Sequence, residues 1–138
     1  VVFTSTISRG QSLSVKKQVW ENNQLMQPAD LVALLGRSKA RKPVVYNIGF
    51  VGDIESAKKI GAASKKEGLG NLEKEVKTLP KNTEIVVYCG CCPFEHCPNV
   101  RPAYTLLQGM GFKHARILNL PTSIKADWID KGYPMAKK

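Results

Sequence analysis

Cysteine is absent from this 138-residue chain except between residues 89 and 97, where all four occur. A disulfide-stapled secreted fold spreads its cysteines along the chain, so this distribution excludes such a framework and points to a redox, nucleophilic or metal site. No apolar run approaches the ~20 residues of a membrane-spanning helix, and no membrane partner is expected. There is no internal repeat and no linker-like shift in composition. One domain is expected, large enough to bury a core without staples. Acidic residues are few, 11 against 21 basic, for a net charge of +10. The basic residues are scattered, with no interleaved aromatics and no nucleic-acid motif, so nucleic acid is not the expected partner. The excess charge fits a surface that attracts small anions. The chain starts at Val1 without Met, and an exported and a cytoplasmic location both stay open.

What is present is organised around residues 84–103. Ile85-Val86-Val87-Tyr88 is a short β-branched and aromatic run that reads as a buried strand ending at Cys89. Ala103, Leu106, Leu107 and Met110 fall at helical spacing. Gly111 suits the position just past the helix, and Phe112 can fold back on its last turn. The unit is therefore strand, cysteine-bearing loop, helix. Such a loop meets the unpaired N–H groups and positive dipole end of the helix, a setting that lowers a thiol pKa and holds an anion.

The rest of the chain supports an α/β fold with a parallel sheet. Residues 1–26 read as an N-terminal arm, with Val19-Trp20 and Leu25-Met26 packing it against a folded body, residues 27–138. Pro28 near a helix start, with Leu31, Leu34 and Leu35 on one face and Gly36 after them, predicts a helix. Residues 37–42 read as a charged loop. Pro43 to Ile48 reads as a core strand, with Asn47 at its end either making a turn or facing the site. Asp53 as an N-cap predicts a short helix to Lys59, followed by a short strand or turn over residues 60–63. Lys65 to Gly70 reads as polar loop. Leu72, Val76 and Leu79 predict a helix over residues 71–79, stopped by Pro80.

Within the loop, Cys89 comes directly after the strand, and Cys92 forms a C-x-x-C pair with it. Cys97 lies near the helix start, where Pro98 keeps it extended and a resolving role is open to it. Cys91 reads equally well as a passive thiol. His96 either hydrogen-bonds locally, pairs with a thiolate, or joins Cys89, Cys92 and Cys97 in a soft-metal set of irregular spacing. The reading adopted needs no metal and no cofactor. The Cys-x5-Arg spacing of cysteine phosphatases is missing, since Arg101 follows Cys97 by three intervening residues and Cys92 by eight.

Ile85 to Cys89, Arg101, Gly111-Phe112, the apolar run Ala115 to Leu120, Trp128, Gly132-Tyr133-Pro134 and the opening Pro28-Ala29-Asp30-Leu31 with Leu34-Leu35 resemble the rhodanese (sulfurtransferase) superfamily over roughly residues 27–135. The chain departs from that pattern in three places. Asn47-Ile48-Gly49 stands where the family has Asp-x-Arg, Lys58-Lys59-Ile60 where it has Gly-His-Ile, and the active loop is lengthened and carries three further cysteines. The resemblance implies a single domain with a central parallel sheet flanked by helices on both faces. It implies a persulfide-forming sulfurtransferase, with Cys89, Cys92 and Arg101 as catalytic candidates. Gly90, Cys91, His96, Cys97 and Asn47 are the candidates to line the substrate site. The implied partners are a small anionic sulfur donor such as thiosulfate and a thiol acceptor. The alternative is a dithiol redox or soft-metal module on the same fold.

Overall fold

The computed structural model describes residues 20–36, 42–91, 93 and 96–137. The expected arm up to Val19, the loop 37–41, and Cys92 and Glu95 lie outside the described residues. Five short strands, β1 (Leu25–Met26), β2 (Val44–Asn47), β3 (Ala57–Lys59), β4 (Ile85–Tyr88) and β5 (Ala115–Leu118), form one sheet in the order β1-β5-β4-β2-β3. Every neighbouring pair is parallel. β4 lies in the middle, with Val86 opposite Val45 of β2 and Val87 opposite Ile117 of β5. All four of its residues are buried, which explains the unbroken apolar run in place of an alternating one.

Four helices cover the sheet: α1 (Pro28–Leu35), α2 (Lys66–Val76), α3 (Val100–Gly109) and the single turn α4 (Ile124–Asp127). Strand alternation sorts the core into two layers. Ile85 and Val87 point with Tyr46 and Ile117 towards Leu72 and Val76 of α2 and Ala103 and Leu107 of α3. Val86 and Tyr88 point the other way, with Val45 and Leu118, towards Leu31 and Leu35 of α1 and Ile124 and Trp128. The result is a single α/β domain with a five-stranded parallel sheet flanked by helices on both faces.

Several local expectations hold. Pro28 occupies the first turn of α1, where its missing N–H is no loss. Gly111 closes α3 at φ 90°, and the Phe112 N–H folds back to the Leu107 carbonyl at 3.0 Å. Trp128 donates its indole N–H to the Pro134 carbonyl at 3.0 Å, and Tyr133 stacks edge-on against it at 5.2 Å. Leu25 and Met26 form the edge strand β1, and Trp20 packs edge-on against Tyr104.

Two expectations are corrected. Residues 53–59 do not form a helix capped by Asp53. Ala57 to Lys59 pair with β2 as β3, and Ile54 makes an antiparallel bridge to Met135. The vacant edge of β2 and the Tyr88 hydroxyl, which accepts from the Ile54 N–H at 3.0 Å and donates to the Gly52 carbonyl at 3.1 Å, outweigh the local helix signal. Lys65 to Gly70 is not a loop either, since α2 begins at Lys66. Two glycines disguised its first turns. Gly68 is buried because the helix lies directly on the backbone of Ala62.

Those two glycines should respond oppositely to substitution. A methyl group on Gly68 would sit 2.6 Å from the Ala62 carbonyl carbon, whereas one on Gly70 would meet nothing within 4 Å. Gly68→Ala is expected to destabilise the domain by about 1–3 kcal/mol through overpacking. Gly70→Ala should stabilise it by roughly 0.5–1 kcal/mol by removing unfolded-chain freedom. Urea denaturation of the two variants checks both signs.

Candidate thiol site

β4 delivers Cys89 to the carboxyl edge of the sheet, where open parallel sheets bind ligands. Continuing the alternation, Cys89 follows Ile85 and Val87 into the layer beneath α2 and α3 and is 1% exposed. The chain then turns sharply at Gly90, with φ 72°. A side chain there would approach Ile124 to 2.8 Å, and the Gly90 carbonyl accepts the Ile124 N–H at 2.9 Å. Gly90 therefore shapes the loop and ties it to α4.

The turn brings Cys91 back over Cys89, with the two sulfurs 3.1 Å apart. Cys97 returns from the far end of the loop. The Sγ atoms of Cys89, Cys91 and Cys97 all lie within 4.8 Å of one another, and none is in a disulfide. Exposure grades across the group. Cys89 is buried, Cys97 intermediate and Cys91 exposed.

Two residues not singled out from the sequence complete the pocket around Cys89. Asn99, at the start of α3, is wholly buried. Its Oδ1 accepts the Ser64 N–H at 2.9 Å, which turns its Nδ2 towards Cys89 Sγ, to which it donates at 3.3 Å. It caps no helix N–H, its acceptor oxygen being engaged by the Ser64 N–H. Gly49, in the loop after β2, leaves the room this sulfur needs, since a Cβ there would lie 2.7 Å from it. An Asn before a helix and a Gly after a strand have ordinary local explanations, so neither signalled the site from the sequence.

These donors set the ionisation of Cys89. The Cys97 thiol donating to it has the largest effect, and Asn99 together with the backbone N–H and thiol of Cys91 adds to it. Together they outweigh the opposing cost of burial and pull Cys89 down to about 5 from 9.0. Cys97 moves the opposite way. Its proton is held against Cys89, and burial raises it further. The pair thus shares one proton, with the anion on the inner sulfur.

The remaining candidates are placed as follows. His96 is exposed, its backbone N–H donating to the Pro93 carbonyl at 2.9 Å, and it is outside the three-sulfur group. Among the described residues, the set brought together keeps Cys89 and Cys97 of the expected soft-metal set, adds Cys91 and lacks His96. Arg101 is exposed, its guanidinium stacked 4.6 Å above the Trp20 ring. It borders a largely apolar groove of about 640 Å³ between α2 and α3, lined also by Leu69, Cys97, Pro98, Pro102 and Leu106. Asn47 is buried and uses its amide within its own loop, donating to the Val51 carbonyl at 2.7 Å and to Asp53 at 2.9 Å while accepting the Gly49 N–H at 3.0 Å. It thereby holds the loop that carries Gly49.

Comparison with family models, with curated proteins and with solved structures finds no match. Fold and site together define an α/β domain with a tri-cysteine cluster at the carboxyl edge of its sheet, an arrangement consistent with a reactive thiol. Among the described residues, no helix is long and apolar enough to cross a membrane.

A titration followed by the ultraviolet absorbance of thiolate should show one group ionising near about 5. Because a lowered pKa keeps the anion above that value, the signal should be lost only as pH falls through it. Cys97→Ala, which removes the largest stabilising contact, should raise this midpoint most. Asn99→Ala should raise it less. At pH 6, where the native Cys89 is mostly thiolate, Cys97→Ala should show a smaller thiolate signal than Asn99→Ala, and both a smaller one than the native chain.

Proposed function

We propose that the chain is a dithiol redox module, in which Cys89 and an outer thiol of the same loop cycle between the dithiol and a disulfide. The observation that carries this reading is the close approach of the three sulfurs, graded from buried to exposed. Cys97 is the preferred outer partner, because it contacts the Cys89 sulfur and also lines the groove that opens to solvent.

The cycle balances in two exchanges. A substrate thiolate attacks Cys97 Sγ of the loop disulfide. The bond to Cys89 breaks, and Cys89 leaves as a thiolate. A second substrate thiolate then attacks the substrate sulfur of the mixed disulfide and releases Cys97 as a thiolate. The substrate dithiol has lost two electrons and the loop has gained them. The contacts from Cys97, Asn99 and Cys91 act on an anion and are weakened when Cys89 is a neutral disulfide sulfur, so they favour the reduced loop. A couple of this kind is oxidising, and its low-pKa sulfur is a good leaving group. A disulfide of higher potential completes the cycle.

A second reading is favoured by the resemblance at Ile85 to Cys89 and by the position of Cys89 directly after β4. In sulfane transfer the Cys89 thiolate attacks the outer sulfur of thiosulfate, the S–S bond breaks and sulfite leaves. A thiol acceptor then takes the sulfur from the Cys89 persulfide. The basic surface suits such an anionic donor.

Intact mass decides between the readings. After a large excess of oxidised glutathione free of the reduced form, which drives even an oxidising couple to its disulfide, the native chain is expected to lose two hydrogens without retaining glutathione. With Cys91 and Cys92 both changed to Ser, the Cys89–Cys97 pair should still lose two hydrogens, and Cys89→Ser added to that background should retain one glutathione, on Cys97. Persistence of the fully reduced mass in the native chain would sink the redox reading. A gain of one sulfur after thiosulfate, abolished by Cys89→Ser, would establish sulfane transfer in its place.

A further inference from the structure

We propose that Cys89, Cys91 and Cys97 together form a three-thiolate binding site for one copper(I) ion. The donor set is all sulfur: among the described residues no His, Asp or Glu offers an atom within the same 4.8 Å group. Soft thiolates select soft ions, and of these zinc in structural sites takes four ligands in a tetrahedron, one more than the described residues bring together. Copper(I) accepts three sulfurs in a plane. At a metal–thiolate distance of about 2.3 Å, a planar three-coordinate ion holds its sulfurs roughly 4 Å apart. The Cys89 to Cys91 separation of 3.1 Å and the 4.8 Å limit on the group bracket that value. Small rotations of side chains, without refolding of the backbone, would therefore seat the ion.

The surroundings fit the same ligand. Cys89 forms an inner wall among Ile, Val and Leu side chains, with Gly49 at its back. Cys91 and Cys97 are the more accessible sulfurs, so the ion has an outer approach. Three thiolates around copper(I) carry a net charge of −2, which a chain of charge +10 tolerates. Binding forms three Cu–S bonds, and any thiol proton still held passes to solvent. Copper stays in the +1 state and no sulfur is oxidised. An ion so held would occupy the sulfur pair used for thiol exchange, but its binding does not depend on that activity.

The test is an anaerobic titration of the reduced chain with copper(I) acetonitrile complex against a chromogenic copper(I) chelator, with X-ray absorption on the loaded protein. One copper per chain with three sulfur neighbours is expected. Cys89→Ser, Cys91→Ser and Cys97→Ser should each weaken binding by more than the ~10–100-fold that loss of a supporting contact costs. Cys92→Ser should keep the full affinity. Cys91 is exposed, so Cys91→Ser is the variant expected to fold as the native chain does, verified by circular dichroism. Two sulfur neighbours with Cys91→Ser unchanged would overturn the proposal. So would loss of copper in Cys92→Ser, or displacement of copper by equimolar zinc. The redox reading is judged separately, on metal-free protein by its disulfide, so the two can fail independently.

Discussion

The thiol site depends on one constraint, the burial of β4 on both faces and both edges. Ile85 to Tyr88 pair with β2 on one side and β5 on the other, while side chains alternate into two core layers. A strand held this way has no freedom of register, because a slip of one residue would exchange its two faces. The position of the next residue, Cys89, is fixed with it. The loops after β2, β4 and β5 gather at the same edge because all five strands run parallel. Gly49 and Gly90 lie in two of those loops, and each gives up a side chain where the neighbouring element comes too close to admit one.

Buried polar groups then orient the thiol. An unpaired buried amide costs about 1–3 kcal/mol, so Asn99 and Asn47 need partners where they lie. Among the described residues no buried side-chain nitrogen or oxygen is left without one. Asn99 spends its oxygen on the Ser64 N–H, and only then does its amide nitrogen face Cys89. Asn47 fastens its own loop in the same way. The low pKa of Cys89 is thus a property of three segments brought together, in opposition to the burial that alone would have raised it.

Much of the fold was legible along the chain. The apolar run of β4, the 3.6-residue spacing in α3, Pro28 at the start of α1 and Gly111 at the end of α3 are signals that act within a few residues. The parallel α/β class follows from their alternation. The failures came where a local signal met a distant partner. Asp53 looked like a helix cap, but residues 57–59 lie against the open edge of β2. Gly68 and Gly70 looked like loop, but Gly68 is what allows α2 to rest on Ala62.

The sequence by itself determined that the chain has a buried central strand, that the strand ends in a cysteine, and that further thiols follow before a helix. Those facts are local, carried by residue type, by one unbroken apolar run and by a spacing of 3.6. Tertiary structure alone decided which thiols meet, that Cys91 stands over Cys89, and that Arg101 stacks on Trp20. It also decided that an asparagine and a glycine with ordinary local roles would complete the pocket. The reason is that contact across a loop depends on where its two ends are anchored, and these ends are held by a sheet and a helix whose relative position comes from packing far from the loop.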